Sequence, residues 1–399
     1  MSLKLDFVER AIEPGAKLAP LCREFGISRQ TGTKWMSRFR QEGYAGLEER
    51  SRRPRSSPLS LAEELVMAVL ELRDRHPSWG PKKLRSLLER RFADAAPSVA
   101  TIARILHRAG VVRAKRRRKP VSIIDQAPNV IAAAPNDIWT IDFKGWWRTR
   151  DGSRCEPLTV RDAYSRFVLT MTLLPATTGE AVRAQLERLF KKYGLPGSFQ
   201  HDNGSPFVST RARGGFTQLS AWCASHGIGI VRSRPGCPQD NGGHERMHRD
   251  VAQELERYPS HNPASQQREM DRWCQEFNHV RPHEALGNKT PAEVYKASER
   301  KLRSPRPFPY PATCIVRRVD RSGHVNWQGE HSYIGMAFCG HRLGFEPSDG
   351  LRWKLWFRDF DLGTIELLPE SFDQVALDDR KVATSNQKKN NKGNTDAAA

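Results

Sequence analysis

Three acidic residues stand in motifs where a strand or a helix could present a carboxylate to one shared site. Asp142 lies in the stretch WTIDF, Asp202 in HDNG and Glu245 in PQDNGGHER. Because carboxylate oxygens are preferred ligands of hard divalent cations, three of them can hold a pair of such ions. A pair of ions suits displacement chemistry at a phosphodiester. The three residues are therefore the predicted catalytic and metal-binding residues.

The charge of the chain indicates a polyanionic partner. Its 399 residues contain 65 lysines and arginines against 45 aspartates and glutamates, a formal net charge of +20. The first 120 residues hold 27 of the basic residues and 13 of the acidic ones. Such clustering favours nucleic acid, since each neutralised phosphate releases condensed counterions. A solvated basic surface without a partner is the alternative.

The remaining composition restricts the class of protein. With 38% hydrophobic residues the chain can form a core, and its length predicts more than one domain. It contains no run of about 18 apolar residues, so we expect no membrane span and no membrane partner. Its seven cysteines form no CxxC pair, which argues for a reducing compartment. We therefore expect a cytoplasmic, nucleoid-associated protein.

The N-terminal segment predicts two helices joined by a tight turn. In residues 16–40, Gly26 interrupts the first apolar stripe and Ser28 is a favourable N-cap for the second helix. This pattern is typical of a helix-turn-helix, although a two-helix hairpin in a bundle would also give it. We predict a DNA-binding domain over residues 1–50 and a flexible linker over 51–59. The predicted DNA-contacting residues of this domain are Arg29, Gln30, Thr31 and Lys34.

A second helical unit is predicted over residues 60–120. Ser98 favours a helix start and Gly110 a helix end, and the unit is typical of a winged helix-turn-helix. It ends in the basic run RAKRRRK. Such a run is most often a disordered tether, but it could follow a phosphate backbone. The predicted DNA-contacting residues here are Lys82, Lys83, Arg116, Arg117 and Arg118.

From about residue 130 the pattern changes to mixed α/β. The residues around Asp142 alternate between apolar and polar, which predicts a strand whose carboxylate points away from its apolar face. Asp202 is predicted at the carboxyl end of a strand that follows a crossover helix, where open α/β sheets place their sites. Asp162 is a competing acid, but its context predicts a turn between strands.

A helix is predicted to carry Glu245. At about 100° per residue, Glu245 lies well round from the apolar stripe, so it can point at a site while the helix packs inward. The residues predicted on the inward face are Met247, Val251, Leu255 and Tyr258.

Short β-rich runs such as CIVRRV and WKLWFR predict a small β domain over residues 305–370. The polar tail over residues 378–399 is predicted to be disordered. The predicted fold class is therefore multidomain, with N-terminal all-α helix-turn-helix units, a central α/β core and a small C-terminal β-barrel-like domain.

Six motifs follow one another through the central region. They are WTIDFKG from Trp139, LTVRDAYSR from Leu158, YGLP from Tyr193, HDNGSPF from His201, RPGCPQDNGGHER from Arg234 and FNHVRPHEAL from Phe277. No single motif is decisive, but the ordered set is specific. It resembles an insertion-sequence DDE transposase with a retroviral-integrase-type catalytic core.

This resemblance implies a ribonuclease-H-like fold for the integrase catalytic core, residues 130–298, with Asp142, Asp202 and Glu245 as the Asp-Asp-Glu triad. It implies two Mg2+ ions, with Mn2+ as a substitute, and cleavage at transposon ends followed by strand transfer. The implied partners are double-stranded DNA, namely transposon ends with terminal inverted repeats and target DNA, and further copies of the chain in a homo-oligomer on that DNA. The implied supporting residues are Asn203, Gly204, Arg281 and His283.

Other interpretations of the same residues remain open. Each acid alone could be structural, as a salt-bridge partner, a turn residue or a helix-terminus residue. For Arg281 and His283, a structural role stands beside orientation of a phosphate or of the Glu245 helix. A DNA-binding regulator with an inactive core is a second candidate function.

A third candidate function follows from HERMH, which matches the zinc-peptidase signature HExxH through His244 and His248. Glu269 lies where a third ligand could fall. Packing is a sufficient explanation of both histidines, and a zinc metalloprotease would not need the basic charge of the chain.

Overall fold

The computed structural model describes residues 3–49, 61–112, 130–202, 204–234 and 237–367. The chain divides into two units, Met1–Ala62 and Glu63–Ala399. The predicted tail over residues 378–399 and the basic run over residues 113–119 lie outside the described residues. No described helix is both long enough and apolar enough to cross a lipid bilayer.

The N-terminal unit is helical. Its helices are α1 (Leu3–Ala11), α2 (Leu18–Glu24) and α3 (Arg29–Glu42), followed by a 3-10 turn at Gly43–Leu47. Gly26 takes a left-handed conformation (φ 65°) between α2 and α3. Ser28 caps α3, since its hydroxyl accepts a hydrogen bond from the Thr31 N–H at 3.1 Å. The predicted helix, turn and helix are thus confirmed.

Three helices begin the larger unit, namely α4 (Glu63–Arg75), α5 (Pro81–Phe92) and α6 (Val99–Arg108). Ser98 caps α6 by accepting a hydrogen bond from the Thr101 N–H at 3.2 Å. Residues 61–112 contain no β-strand, so the described part of this unit shows helices and no wing.

A five-stranded mixed sheet forms the centre of the larger unit, in the order β5-β4-β1-β6-β7. In chain order the strands of the region are β1 (Ile138–Phe143), the hairpin β2 (Trp147–Arg148) and β3 (Arg154–Cys155), β4 (Pro157–Asp162), β5 (Val168–Leu173), β6 (Ser198–His201) and β7 (Gly229–Arg232). Strand β1 pairs antiparallel with β4 and parallel with β6.

Helices cover both faces of this sheet. Helices α7 (Gly179–Tyr193) and α8 (Gln218–Ser225) pack on the face that carries Trp139 and Ile141. The opposite face is covered by α9 (Gly242–Val251), a π-helical turn (Ala252–Glu256) and α10 (Pro263–His279). A short helix, α11 (Pro291–Val294), follows. A mixed sheet between two helical layers is the predicted ribonuclease-H-like arrangement.

Tyr258 was predicted on the inward face of the Glu245 helix, and this prediction is wrong, since the residue is 61% exposed. Met247, Val251 and Leu255 are buried as predicted. The reason is the π-helical turn that follows α9, because its wider winding breaks the spacing of a regular α-helix before Tyr258.

The C-terminal strands belong to two separate sheets. Strands β8 (Ile315–Arg318), β11 (Arg342–Pro347), β12 (Arg352–Phe357) and β13 (Phe360–Glu366) form one antiparallel sheet, and β9 (His324–Trp327) pairs with β10 (Glu330–Tyr333). The predicted C-terminal strands are confirmed, but the described strands form an open sheet and a hairpin rather than a hydrogen-bonded closed barrel. Its core continues into the central region through Phe216, Ala221 and Ala224.

Candidate active site

Asp142 lies near the end of the central strand of the sheet. The parallel pairing of β1 with β6 joins Ile138 to Ser198 and Thr140 to Gln200. Asp142 and Asp202 each lie two residues beyond the last pair of this register. The side chain of Asp142 is 24% exposed, so it is partly shielded from water yet open to a ligand.

Asp202 immediately follows β6 and is exposed. The Gly204 N–H donates a hydrogen bond to its Oδ1 at 3.1 Å. A Cβ atom at Gly204 would lie 3.1 and 3.2 Å from the two carboxylate oxygens of Asp202. The predicted supporting residue Gly204 therefore allows the backbone to approach the carboxylate closely. Asn203 lies outside the described residues.

Glu245 lies in the first turn of α9 and is exposed, while Met247 and Val251 of the same helix are buried. The helix thus packs inward and leaves this carboxylate on its outer side, as the spacing of the apolar residues predicted.

The pKa of the Asp142 carboxyl depends on the charges of the other two acids. Burial raises the pKa of its carboxyl to about 7, and the negative charges of Asp202 and Glu245 raise it further. The charges of Asp202 and Glu245 therefore both act on the Asp142 carboxyl. A carboxyl group in such surroundings is suited to bind a hard divalent cation.

A second group of polar side chains lies beside Asp142. The hydroxyl of Thr159 lies 2.6 Å from His244 Nε2 and 2.8 Å from His248 Nε2, and it donates to the Asp142 carbonyl at 2.9 Å. Thr140 Oγ1 lies 2.7 Å from His244 Nδ1. No motif points to the two threonines, and their only signal is a polar residue at alternate positions of two apolar strands.

The surroundings of His244 and His248 bear on whether they could be the zinc ligands of an HExxH peptidase. Ligand atoms of Asp142, His244 and His248 all lie within 4.8 Å of one another, so a metal ion could be held there. However, both ring nitrogens of His244 already contact threonine hydroxyls. Only Nδ1 of His248 faces a carboxylate, at 3.8 Å from Asp142 Oδ2. The arrangement therefore does not fit the two histidine ligands that HExxH requires.

Burial keeps both imidazoles neutral. It lowers the pKa of His248 to about 3, with Lys144 and Arg161 adding to the effect, and it lowers that of His244 well below its usual value. The two rings therefore add no positive charge beside the Asp142 carboxyl.

Arg281 ties α9 to the end of α10. Its guanidinium is 3% exposed and donates to Asp250 Oδ2 at 2.9 Å and to Glu254 Oε1. Because Asp250 and Glu254 lie on α9 and the π-helical turn after it, Arg281 fixes the element that carries Glu245. His283 is buried as well, and burial together with the Arg281 charge lowers its pKa to about 3.

The predicted DNA-contacting residues fall into different surroundings. Arg29, Gln30 and Lys34 are exposed on α3, whereas Thr31 is half-buried and its hydroxyl lies 2.9 Å from that of the capping residue Ser28. Lys82 Nζ lies 2.6 Å from Glu284 Oε1 of the central region. Lys83 is half-buried, with its ammonium 5.7 Å from the Trp79 ring, and burial lowers its pKa to about 8. Arg116, Arg117 and Arg118 lie outside the described residues.

Family models match most regions of the chain. A helix-turn-helix domain matches residues 3–55, a homeodomain-like domain residues 31–106, and integrase core domains residues 132–238 and 226–291. The C-terminal domain of the IS481 family transposases matches residues 314–372. Taken together, these matches show that the chain resembles insertion-sequence transposases with an integrase-type core. Its integrase core indicates the polynucleotidyl transferase superfamily, whose cores generally use divalent metals, and its helix-turn-helix and integrase domains imply DNA binding.

Two relatives of this chain come from bacterial insertion elements. The IS476 uncharacterized 39.2 kDa protein of Xanthomonas euvesicatoria is 27% identical over 282 residues, which cover 70% of this chain and 78% of that protein. The IS407 uncharacterized 31.7 kDa protein of Burkholderia multivorans is 27% identical over 232 residues, or 58% and 80% of the two chains. Among solved structures, the catalytic core domain of HTLV-2 integrase is 18% identical with a TM-score of 0.32, covering 42% of this chain and 100% of that one.

Proposed function

We propose that this transposase binds the terminal inverted repeats of its element and catalyses magnesium-dependent DNA cleavage and strand transfer. The observation that carries this proposal is the placement of three acids in the integrase core: Asp142 near the end of β1, Asp202 directly after β6 and Glu245 in the first turn of α9. The pKa of the Asp142 carboxyl, which burial and then the charges of Asp202 and Glu245 raise, supports it, since a bound cation would stabilise the charged form of that carboxyl.

Asp142, Asp202 and Glu245 are the proposed ligands of two Mg2+ ions, for which Mn2+ can substitute. When bound, these ions lower the pKa of an attacking water or 3′-hydroxyl and stabilise the leaving oxygen of an in-line displacement. The task of the protein is to hold three ionised carboxylates together. Support comes from the rigid elements on which they stand, namely the ends of β1 and β6 and the helix α9 that Arg281 fixes.

DNA recognition is proposed for the exposed residues of α3. Arg29, Gln30 and Lys34 lie in the N-terminal part of the helix that follows the turn, which is the part that reads base edges in helix-turn-helix proteins. We further propose that copies of the chain assemble on paired transposon ends, since cleavage and transfer involve two ends and one target.

Strand transfer with short end duplexes in Mg2+ tests this function. Glu245→Gln keeps the size of the side chain and removes its charge, so we expect activity to fall by more than roughly a hundredfold, because even outer-shell partners of metal ligands contribute up to about that much. Gel analysis of the cleaved and joined strands gives the readout.

Glu269→Gln is the matched control, because Glu269 is a partly exposed acid on α10 that pairs with Arg272. Such a surface pair contributes below about 1 kcal/mol, so this variant should transfer strands like the wild type. Equal activity of the Glu245 and Glu269 variants would remove Glu245 from the mechanism.

The alternatives predict different results in the same assay. Sequence-specific binding of end DNA with no metal-dependent cleavage by the wild type would indicate a DNA-binding regulator. Zinc-dependent peptide hydrolysis would indicate a metalloprotease, which the occupied ring nitrogens of His244 disfavour.

A further inference from the structure

A second polar pocket opens beside the N-terminus of α9, on the face of the sheet that carries Asp142. Its volume is about 700 Å³. The residues of its lining on which the inference rests are Thr140, Arg161, Tyr164, Arg166, Gly243 and Lys289. Neither the metal ligands nor the residues of the helix-turn-helix units belong to this lining.

Arg161 is a buried arginine without an acidic partner among the described residues. It is 5% exposed, its Nε has no hydrogen-bond partner, and its one hydrogen bond to a described residue joins Nη2 to the Ala163 carbonyl at 3.5 Å. A guanidinium carries five N–H donors in a planar fork that matches phosphate. A charge so little compensated by the described residues is costly to bury, which indicates an anionic ligand.

Glycine at position 243 makes room for this guanidinium. A Cβ atom at Gly243 would lie 2.8 Å from Nη2 and 2.9 Å from Nη1 of Arg161. The guanidinium therefore lies against the backbone of the first turn of α9. The positive end of the α9 helix dipole lies at the same place, and a helix start favours a bound anion.

Arg166 adds a second positive charge to the pocket. It is half-buried and forms no hydrogen bond or ion pair with any described residue. Burial lowers the pKa of Arg161 to about 10, with Arg166 adding to the effect, and burial and Arg246 lower the pKa of Arg166. Two neighbouring arginines that repel each other would both be stabilised by one bound anion.

The acids near the pocket are already bound elsewhere. Asp240 accepts hydrogen bonds from the backbone N–H, Nε and Nη2 of Arg234, at 2.9, 3.0 and 2.7 Å. Asp162 accepts hydrogen bonds from the backbone N–H groups of Asn136 and Ser165, at 2.7 Å each. Its negative charge raises the pKa of Arg161, but burial lowers that pKa by more. An incoming anion therefore meets arginines whose nearby acids have other partners.

The pocket lies close to the proposed reaction centre. In the pairing of β1 with β4, Thr140 faces Arg161 and Asp142 faces Thr159. Two residues along a strand span on the order of 7 Å. One strand of B-DNA rises about 3.4 Å per nucleotide, so a strand at Asp142 would bring a phosphate to this pocket within one or two nucleotides.

We propose that Arg161 and Arg166 bind a phosphate of the processed DNA strand, one or two nucleotides from the phosphodiester that reacts at Asp142. This inference rests on the proposed function, since it takes the DNA strand at Asp142 as its starting point. The pocket thereby fixes the register of the strand and does not take part in bond breaking.

Phosphate-replacement binding experiments test the pocket without catalysis. Short end duplexes that carry one neutral methylphosphonate at successive positions are bound in EDTA, and fluorescence anisotropy gives the affinity. For the wild type we expect one sensitive position, within two nucleotides of the reacting phosphate, where affinity falls about tenfold. In Arg166→Gln, binding of the unmodified duplex falls by a similar factor, the extra loss at that position disappears, and the salt slope decreases by roughly 1.

Arg188→Gln is the matched control, since Arg188 is exposed on α7 at the opposite face of the sheet and its variant should keep the sensitive position. Arg161→Gln should behave as Arg166→Gln does, and thermal melting verifies that each variant is folded. Should Arg161→Gln not fold, Arg166→Gln alone decides. If the affinity loss from Arg166→Gln simply adds to the loss from a methylphosphonate at every position, the two arginines do not bind one particular phosphate. That result would overturn the proposed phosphate pocket and leave the proposed function intact. Failure of the wild type to bind end duplexes would instead overturn the proposed function.

Discussion

At the scale of single residues, Asp142 has the most unusual environment of the three acids. It is partly buried, the charges of Asp202 and Glu245 act on its carboxyl, and Nδ1 of the neutral His248 ring lies 3.8 Å from its Oδ2. In the metal-free protein the charged form of Asp142 is therefore disfavoured, which explains why its pKa rises to about 7 from an ordinary value of 3.8.

This shift predicts how stability depends on pH. Because the folded pKa lies above the unfolded one, the folded protein binds more protons between about pH 4 and pH 7, and Asp142 lowers stability as pH rises through that window. Asp142→Asn should therefore stabilise the metal-free protein above pH 7 by about 1–4 kcal/mol, at about 1.4 kcal/mol per pKa unit, and have no such effect near pH 4.

Urea unfolding in EDTA at several pH values measures this effect. Added Mg2+ should remove the advantage of the variant, because the cation compensates the charge that asparagine lacks. A difference between the two proteins that does not change with pH would contradict the assigned environment of Asp142.

At the scale of elements, the position of Glu245 depends on how α9 is held. Arg281 connects α9 and its π-helical turn to the end of α10 through Asp250 and Glu254. The guanidinium also lies 5.6 Å from the Trp79 ring and 5.4 Å from that of Phe277. One buried cation thus links two helices of the core to the loop between α4 and α5.

Removal of the Arg281 guanidinium should destabilise the packing of α9 against the core. Arg281→Ala leaves two half-buried carboxylates without their partner, and loss of one member of a buried ion pair costs about 3–5 kcal/mol. Chemical denaturation measures the loss. Arg272→Ala, which breaks the exposed pair with Glu269, should cost below about 1 kcal/mol. Similar costs for the two variants would show that Arg281 does not hold α9.

The sequence predicts elements better than it predicts contacts between them. A short stretch of sequence is enough to predict the helix caps at Ser28 and Ser98 and the inward face of α7, because these features depend only on residues close together in the chain. The bonds between Thr159 and the two histidines join residues 85 and 89 positions apart, and no periodicity reports them.

Two further features could not be predicted from the local sequence pattern. The ion pair of Lys82 with Glu284 joins residues 202 positions apart in the chain, so no local pattern reports it, while the predicted DNA contact of Lys82 stays a prediction. Tyr258 does not lie on the inward face of the Glu245 helix, because a π-helical turn precedes it, and the sequence of that turn does not predict its winding. In contrast, the sequence correctly predicts the elements that carry the three acids, since Asp142 lies near the end of a strand, Asp202 directly follows one and Glu245 lies in the first turn of a helix. Their joint role in catalysis stays a prediction.

At the scale of the whole molecule, the small β domain is built onto the integrase core. Phe216, from the loop before α8, packs among Phe338, Phe357 and Phe360 of the C-terminal region, with ring centroids 5.6, 5.7 and 5.2 Å away. One apolar cluster therefore spans both regions.

This shared cluster predicts coupled stability. Phe216→Ala should cost about 3–5 kcal/mol in the full chain, as large-to-small changes in a core do. In a chain cut after residue 304 the same change should cost far less, because the partner rings are gone and the two effects are not additive. Thermal melting of the four proteins gives the comparison, and equal costs in both backgrounds would refute a shared core.

The central claim is that Asp142, Asp202 and Glu245 share bound metal, and Mn2+ titration followed by calorimetry or electron paramagnetic resonance tests it most directly. We predict that Asp142→Asn, Asp202→Asn and Glu245→Gln each weaken Mn2+ binding by at least about tenfold, while Glu269→Gln leaves it unchanged. Wild-type affinity in the Asp202 and Glu245 variants, with loss only in Asp142→Asn and His248→Ala, would contradict the account and assign the metal to the histidine cluster instead.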